Sequence, residues 1–261
     1  MINWLYTLPN VGVVLLFGLV GAVSFAATPF LREKLWRNRM RSDHSDAASS
    51  AFSVVIGFTG LVLAFSFVQA QGNLRNLEMQ VSAEAHDLAQ LDRLLVRYGD
   101  QNVAAIRAPL HEYANSILTD EWPQLRKGRS SERTAALFRP VSRGILAIEP
   151  AAGRQTLIYA EILKKVDELA ADREDRTGTA TNLRLPQIFW ETIICLVAIL
   201  LLLATFSEAT FGRAIALLGE GFGLALLMAL VFIFDQPFKG QTSVSPAPIA
   251  KVVAEMQTRT F

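Results

Sequence analysis

The side chains able to do catalytic or metal chemistry are few and poorly spaced for it. The sequence holds three histidines, His44, His86 and His111, and one cysteine, Cys195. Zinc and di-iron sites need His-x-x-x-His, Glu-x-x-His or paired-cysteine spacings, and none of these occurs. There is no Gly-x-Ser-x-Gly elbow, no Gly-rich phosphate loop and no dinucleotide fingerprint. Cys195 can form no intrachain disulfide, and its neighbours Ile194, Leu196 and Val197 predict a small core-packing residue. His86 and His111 fall on amphipathic patterns and read as surface or hydrogen-bonded structural residues. No enzymatic activity, no metal and no cofactor is expected.

Acidic pairs are more numerous. Glu84 and Asp87 lie three apart, Asp120 and Glu121 are adjacent, and Asp172 to Arg176 reads Asp-Arg-Glu-Asp-Arg. Carboxylates at this density can hold a cation, but interleaved arginines fit helix ion pairs better. Glu220 is different in kind, because it lies in an otherwise uncharged stretch between Gly219 and Gly221. A carboxylate inside a membrane must face a packed interior or water; if the helix starts later, Glu220 sits at the interface instead.

The elements that carry these residues follow from where charge is missing. The chain has 261 residues, 51% of them hydrophobic and 19% charged, with a net charge of +1. That balance excludes a disordered chain and a nucleic-acid binder. Four stretches are nearly free of charge: residues 9–31, 51–70, 187–207 and 214–234. About 20 apolar residues in a helix cross the roughly 30 Å hydrocarbon core, so each can span. The expected fold is all-α: an integral membrane protein with four transmembrane helices and a helical extramembrane domain between helices 2 and 3. The expected location is the cell membrane, multi-pass, with lipid as the first partner. The first span is longer than a signal-peptide core and follows a tail without Lys or Arg, which predicts a retained anchor.

Four regions result: residues 1–70 with two spans and a basic loop, 71–186 the helical domain, 187–234 a transmembrane hairpin, and 235–261 an extended C-terminal tail. The middle region carries 16 Lys and Arg against 16 Asp and Glu, and its apolar residues recur at helical spacing. Leu74, Leu77, Val81, Leu88, Leu91 and Leu95 predict a helix over 73–98 that either continues span two or follows it after Gly72 and Asn73, with Gly99 and Asp100 as its end. A second helix is expected over 102–125. A third, capped by Ser130 or Ser131, is expected to stop at Pro150, and a fourth to cover 151–182. The basic loop places residues 71–186 outside by the positive-inside rule, but basic residues near the opposite span ends make the balance almost even.

Span two is the chemically plausible lining of a pore. It mixes Ser53, Gly57, Thr59, Gly60 and Ser66 with Phe52, Phe58, Phe65 and Phe67, and ends in Gln69 and Gln71. Phenylalanines constrict a pore by dewetting, while hydroxyls and amides stabilise ions at its mouths. The same composition also suits ordinary helix packing.

The order of span, basic loop, span, helical domain and hairpin resembles the bestrophin-like domain family of membrane proteins. The residues that carry the resemblance are Glu84-Ala85 with Leu88 and Leu91, then Tyr113 and Glu121-Trp122-Pro123. They continue with Arg173, Arg176, Leu185-Pro186, Trp190 and Asp235-Gln236-Pro237-Phe238-Lys239-Gly240. The likeness covers about residues 50 to 245. It is similar, more distantly, to true bestrophins, which are pentameric anion channels that continue the Pro-Phe signature with an acidic calcium-binding cluster. Residues 241–249 contain no carboxylate, so calcium gating is not implied. The resemblance implies a homo-oligomer with span two on the axis, Phe58 and Phe65 forming an apolar neck, and residues 71–186 in the cytoplasm; Ser66 and Gln69 join them as candidate pore residues on the chemistry of span two. The activity implied is passive conduction of an inorganic anion. The alternative is a non-conducting membrane-anchored scaffold that uses the helical domain to recruit a partner.

Overall fold

The computed structural model describes residues 3–36, 42–182, 185–207 and 210–258. Arg37, Arg39 and Arg41 of the basic loop, Arg184, and residues 208–209 of the hairpin turn lie outside the described residues. Ten α-helices occur among those described: α1 Asn10–Trp36, α2 Ser42–Tyr98, α3 Gln101–Ala105, α4 Arg107–Ser116, α5 Trp122–Leu125, α6 Glu132–Leu146, α7 Arg154–Asn182, α8 Gln187–Ala204, α9 Phe211–Phe234 and α10 Ala247–Thr258. A 3₁₀ turn, Asn3–Thr7, precedes α1, and a π-helical turn, Ile117–Glu121, joins α4 to α5. No strand occurs among the described residues. Four of the helices are long and apolar enough to cross a membrane: Asn10–Leu31 of α1, α2 within Ser45–Tyr98, α8 and α9.

The chain divides into two compact units, Met1–Asn73 with Arg184–Ser243, and Leu74–Leu183 with Val244–Phe261. Helix α2 contributes to both as one unbroken element of 57 residues. Gly72 and Asn73 therefore do not interrupt it; a single glycine costs only about 1 kcal/mol in a helix interior, less than flanking packing supplies.

In the first unit α1 and α9 touch backbone to backbone. A Cβ on Gly221 would stand 2.6 Å from the Gly21 carbonyl oxygen and 2.7 Å from the Phe25 Cβ, and one on Gly18 would meet the Phe222 ring at 2.5 Å. Small residues are what permit this approach in lipid, where the hydrophobic effect gives helices no reason to associate. Phe25, Phe52, Leu63, Ile193, Leu200, Leu217 and Leu224 form the adjoining core. At the start of the chain Tyr6 stacks on Phe232 with ring centroids 4.6 Å apart, and Asn10 is held by Gln241 and Thr242.

In the second unit the expected continuous helix over 102–125 is broken twice, at prolines. Pro109 cannot donate to the Ala105 carbonyl, and the chain passes from α3 to α4 at Ile106. Pro123 cannot donate to the Thr119 carbonyl, and the preceding turn widens to π geometry. Gly99, at φ +81°, closes α2, Asp100 caps α3 by accepting the Asn102 N–H, and Ser131 caps α6 by accepting the Thr134 N–H. Helix α6 ends at Leu146, ahead of Pro150.

Two expectations need correction. The tail is not extended throughout: α10 forms within it, because Pro246 and Pro248 sit at its start, where the first helical N–H groups have no intrahelical acceptor anyway. Ile249, Val252, Val253 and Met256 then recur at helical spacing and are buried. Cys195 is exposed rather than packed inside, since the buried stripe of α8 passes through Ile193 and Leu200.

Candidate functional site

The residues that carried the resemblance gather into two separate constellations, one in each unit. In the second unit, Glu84 of α2, Glu121 at the end of the π turn, Trp122 at the start of α5, and Arg173 and Arg176 of α7 meet in the interior. Arg176 is fully buried and holds Glu84 in a fork: Nε donates to Oε2 at 2.5 Å and Nη2 to Oε1 at 3.0 Å. The same Nη2 donates to Glu121 Oε2 at 2.7 Å, and Arg173 Nη2 donates to Glu121 Oε1 at 2.5 Å and to the Ser131 carbonyl at 3.3 Å. The Arg176 guanidinium also lies over the Trp122 ring, 5.7 Å from its centroid.

Two carboxylates and two guanidinium groups make this network neutral, which is the condition for burying charge at tolerable cost. Burial opposes the Arg176 charge, but the charges and hydrogen bonds of Glu84 and Glu121 outweigh it and raise the guanidinium above its ordinary value. Tyr113, also buried, has its hydroxyl raised well above the usual tyrosine range by burial and then by the Glu84 charge. Of the acidic residues grouped from sequence, Glu84 and Glu121 do pair with arginines, across helices and in the dry interior, whereas Asp120 pairs with Arg133 at the surface and Asp87 with Lys165. The arrangement holds α2, the π turn and α7 in fixed register. Its carboxylates are consumed by arginines, so it offers no open ligand set.

Two further ionic clusters include residues that sequence left unremarked, Asp92 and Arg107 in one and Lys165 and Glu168 in the other. Arg107 Nε donates to Asp92 Oδ1 at 2.7 Å and Arg107 Nη2 to the Met256 carbonyl at 3.3 Å, while His111 Nε2 lies 3.2 Å from the same Asp92 oxygen. This ties α10 to α2 and α4 and gives His111 the structural role expected of it. Lys165 Nζ donates to Asp87 Oδ1 at 2.8 Å and to Glu168 Oε2 at 2.5 Å. The signal for the first was present: Asp92 lies between Leu91 and Leu95 on a face otherwise apolar, where a charge must find a partner. His86 is exposed.

In the first unit, Asp235 ends α9 and turns its carboxylate to the start of α8. Oδ1 accepts the Leu185 N–H at 2.7 Å, and Oδ2 accepts the Trp190 Nε1–H at 3.4 Å. Pro237 and Phe238 behind it are buried, and Lys239 lies over the Tyr6 ring at 5.8 Å. The signature after the last span is thus a structural joint. Among the described residues no group of three or more His, Cys, Asp or Glu could hold a metal ion. Glu220, partly buried on α9, has a buried Oε2 with no hydrogen-bond partner among the described residues.

The face of α2 within the first unit is the remaining feature. One side packs on α8 and α9 through Phe52, Val55, Ile56, Val62, Leu63 and Phe67. The other is open: Val54, Phe58, Leu61, Phe65 and Val68 are each more than half exposed, at alternating spacings of four and three. Gly57 and Gly60 have nothing within 4 Å of a Cβ position. Of the four residues expected at a pore, Phe58, Phe65 and Gln69 lie on this side. Ser66 does not. It is fully buried and its hydroxyl donates to the Val62 carbonyl at 2.9 Å, because one step from Phe65 is about 100° around the helix.

These features coincide with a known family. A bestrophin-like domain model matches residues 17–249, and the chain belongs to the bestrophin-like family. Among solved structures, a point mutant of a bacterial bestrophin homologue from Klebsiella pneumoniae is similar at a TM-score of 0.59 and 14% identity, covering 96% of this chain and 99% of that one. A second mutant of a bacterial bestrophin homologue from the same organism is similar at 0.59 and 16% identity, covering 95% and 97%. At these identities the likeness is one of fold. The curated proteins contain no match to the sequence.

Proposed function

We propose that the chain is one subunit of a homo-oligomeric channel that conducts inorganic anions passively through a cell membrane crossed by α1, the apolar half of α2, α8 and α9. The open side of α2 faces the axis, and Phe58 and Phe65 form its narrowest apolar section. The observation that carries this reading is the pattern of exposure on α2: five large apolar side chains line one face while the opposite face is packed on α8 and α9. Lipid alone asks only for apolar surface. A face that combines rings at a seven-residue interval, with Gly57 before the first and Gly60 between the two, and ends in Gln69, also has the parts of a constriction with a polar mouth. The family to which the chain belongs supports the same reading.

No step of this activity needs a nucleophile, a metal or a cofactor. Ions would pass a neck whose dewetting sets the barrier, and the buried network around Arg176 would keep the extramembrane half of α2 in place. The test is chloride flux from liposomes holding the purified full chain, with the oligomer counted by cross-linking or mass photometry. Flux altered by Phe58→Ala and Phe65→Ala, in a protein that stays oligomeric, supports the channel. Absence of flux in a monomer or dimer overturns it in favour of a membrane-anchored scaffold.

A further inference from the structure

Helix α7 presents Lys165, Glu168, Asp172 and Arg176 at spacings of three and four, so they share a face. Lys165 is bonded to Asp87 and Arg176 to Glu84, two residues of α2, which runs antiparallel to α7 across these bridges. Asp172 lies between the two bridges. Each neighbouring cation already holds another carboxylate: Lys164 and Lys165 hold Glu168 and Asp87, Arg173 holds Glu121, and Arg176 holds Glu84 and Glu121, while Arg173 Nε and Arg176 Nη1 stay buried without a hydrogen bond. Asp172 has no ion-pair partner among the described residues, and its Oδ2 is buried without a hydrogen bond.

We propose that Asp172, unpartnered between the two bridges, is a proton-binding site that sets the strength of the pairing between α2 and α7. The charge count favours a proton over other occupants. Five carboxylates (Glu84, Asp87, Glu121, Glu168 and Asp172) meet four cations, and Asp175 adds a sixth carboxylate from the exposed side. That surplus repels an anion, and no group among the described residues could hold a metal. A neutral carboxyl removes one negative charge and supplies an O–H donor in its place. Burial, then the charges of Asp87, Glu84, Asp175 and Glu168, push Asp172 up to about 6. Tyr113 is held neutral by its own burial and so adds no charge. Because the folded value lies above the ordinary 3.8, the folded state holds the proton more tightly than the unfolded one. Stability from this group is therefore greatest below the ordinary value and is lost as pH rises towards about 6, with no further change above. The site does not depend on whether the chain conducts.

Thermal unfolding of the full chain in detergent, followed from about pH 4 to about pH 8, tests this. Asp172→Asn is expected to gain several degrees over wild type as pH rises through this window, the gain levelling off near neutrality. A difference that stays constant with pH overturns the proposal. Where Asp172→Asn does not fold, hydrogen exchange of residues 80–92 and 165–180 in the wild type, corrected for intrinsic rates, decides the matter. Protection is expected to fall through about pH 6, and Asp175→Asn, an exposed change, to move that midpoint down by a few tenths of a unit. A flat profile, or a midpoint indifferent to Asp175→Asn, overturns it.

Discussion

Arg176 and Glu84 are both fully buried, and the guanidinium of one grips both carboxylate oxygens of the other across 92 residues of sequence. A pair of this kind contributes little net stability compared with a well-packed apolar pair, yet removing one member strands a charge in the interior at about 3–5 kcal/mol. Glu84→Ala is therefore expected to lower the melting temperature of the detergent-solubilised chain by 10 °C or so, at roughly 2–4 °C per kcal/mol. Glu84→Gln keeps the shape and one acceptor, and should cost less. A Glu84→Ala variant that melts within a degree of wild type would show that Arg176 is satisfied elsewhere.

The contrast between Phe65 and Ser66 separates a pore face from a packed face on one helix. Phe65 is 65% exposed, and Ser66 is fully buried with its hydroxyl on the Val62 carbonyl. Phe65→Ala should change chloride flux several-fold, since it widens an apolar constriction. Ser66→Ala should leave flux near wild type and cost at most about 1 kcal/mol, the worth of a local hydrogen bond. Equal effects of the two substitutions on flux would remove α2's open side from the axis.

The apolar runs, the helix periodicity and the apolar stripe from Leu74 to Leu95 are legible in the sequence, because they depend on neighbours along the chain, whereas the sequence leaves open whether that stripe continues span two. Glu84, Glu121, Trp122, Arg173 and Arg176 were recognisable as family residues, but nothing in their spacing told that they meet: the contacts join residues 52 to 92 apart and depend on tertiary packing. Ser66 was grouped with the pore residues by chemistry, where the helix period places it on another side. The break at Pro109 was legible in principle, as proline in a helix interior removes a donor, yet the apolar pattern on either side concealed it. Helix α10 was hidden by its prolines, which mark a loop only when they do not sit in a first turn.

Asp235 connects the end of α9 to the start of α8 through two different donors, so its variants should separate them. Asp235→Asn can still accept the Leu185 N–H but can present its amide nitrogen, not an acceptor, to Trp190. Asp235→Ala loses both, and a stranded buried donor costs about 1–3 kcal/mol. The expected order of melting temperature is wild type, then Asn, then Ala, with a shift of indole emission in both variants. An Ala variant as stable as wild type would show that Leu185 and Trp190 find other acceptors.

The crossing of α1 and α9 admits no side chain at its centre. Gly221 places its Cα where a methyl group would lie 2.6 Å from the Gly21 carbonyl oxygen, a backbone atom that cannot swing aside. Gly221→Ala must therefore push the two helices apart, and overpacking of this kind costs about 1–3 kcal/mol. Gly223, two residues on, has nothing within 4 Å of its Cβ position, and Gly223→Ala should be neutral or stabilise slightly, as alanine is the better helix former. Melting both variants side by side in the same detergent controls for any general effect of added methyl groups on membrane helices. Loss of stability at Gly221 alone ties the effect to the contact with α1, whereas equal loss at both positions would mean that α9 tolerates no added bulk on either face.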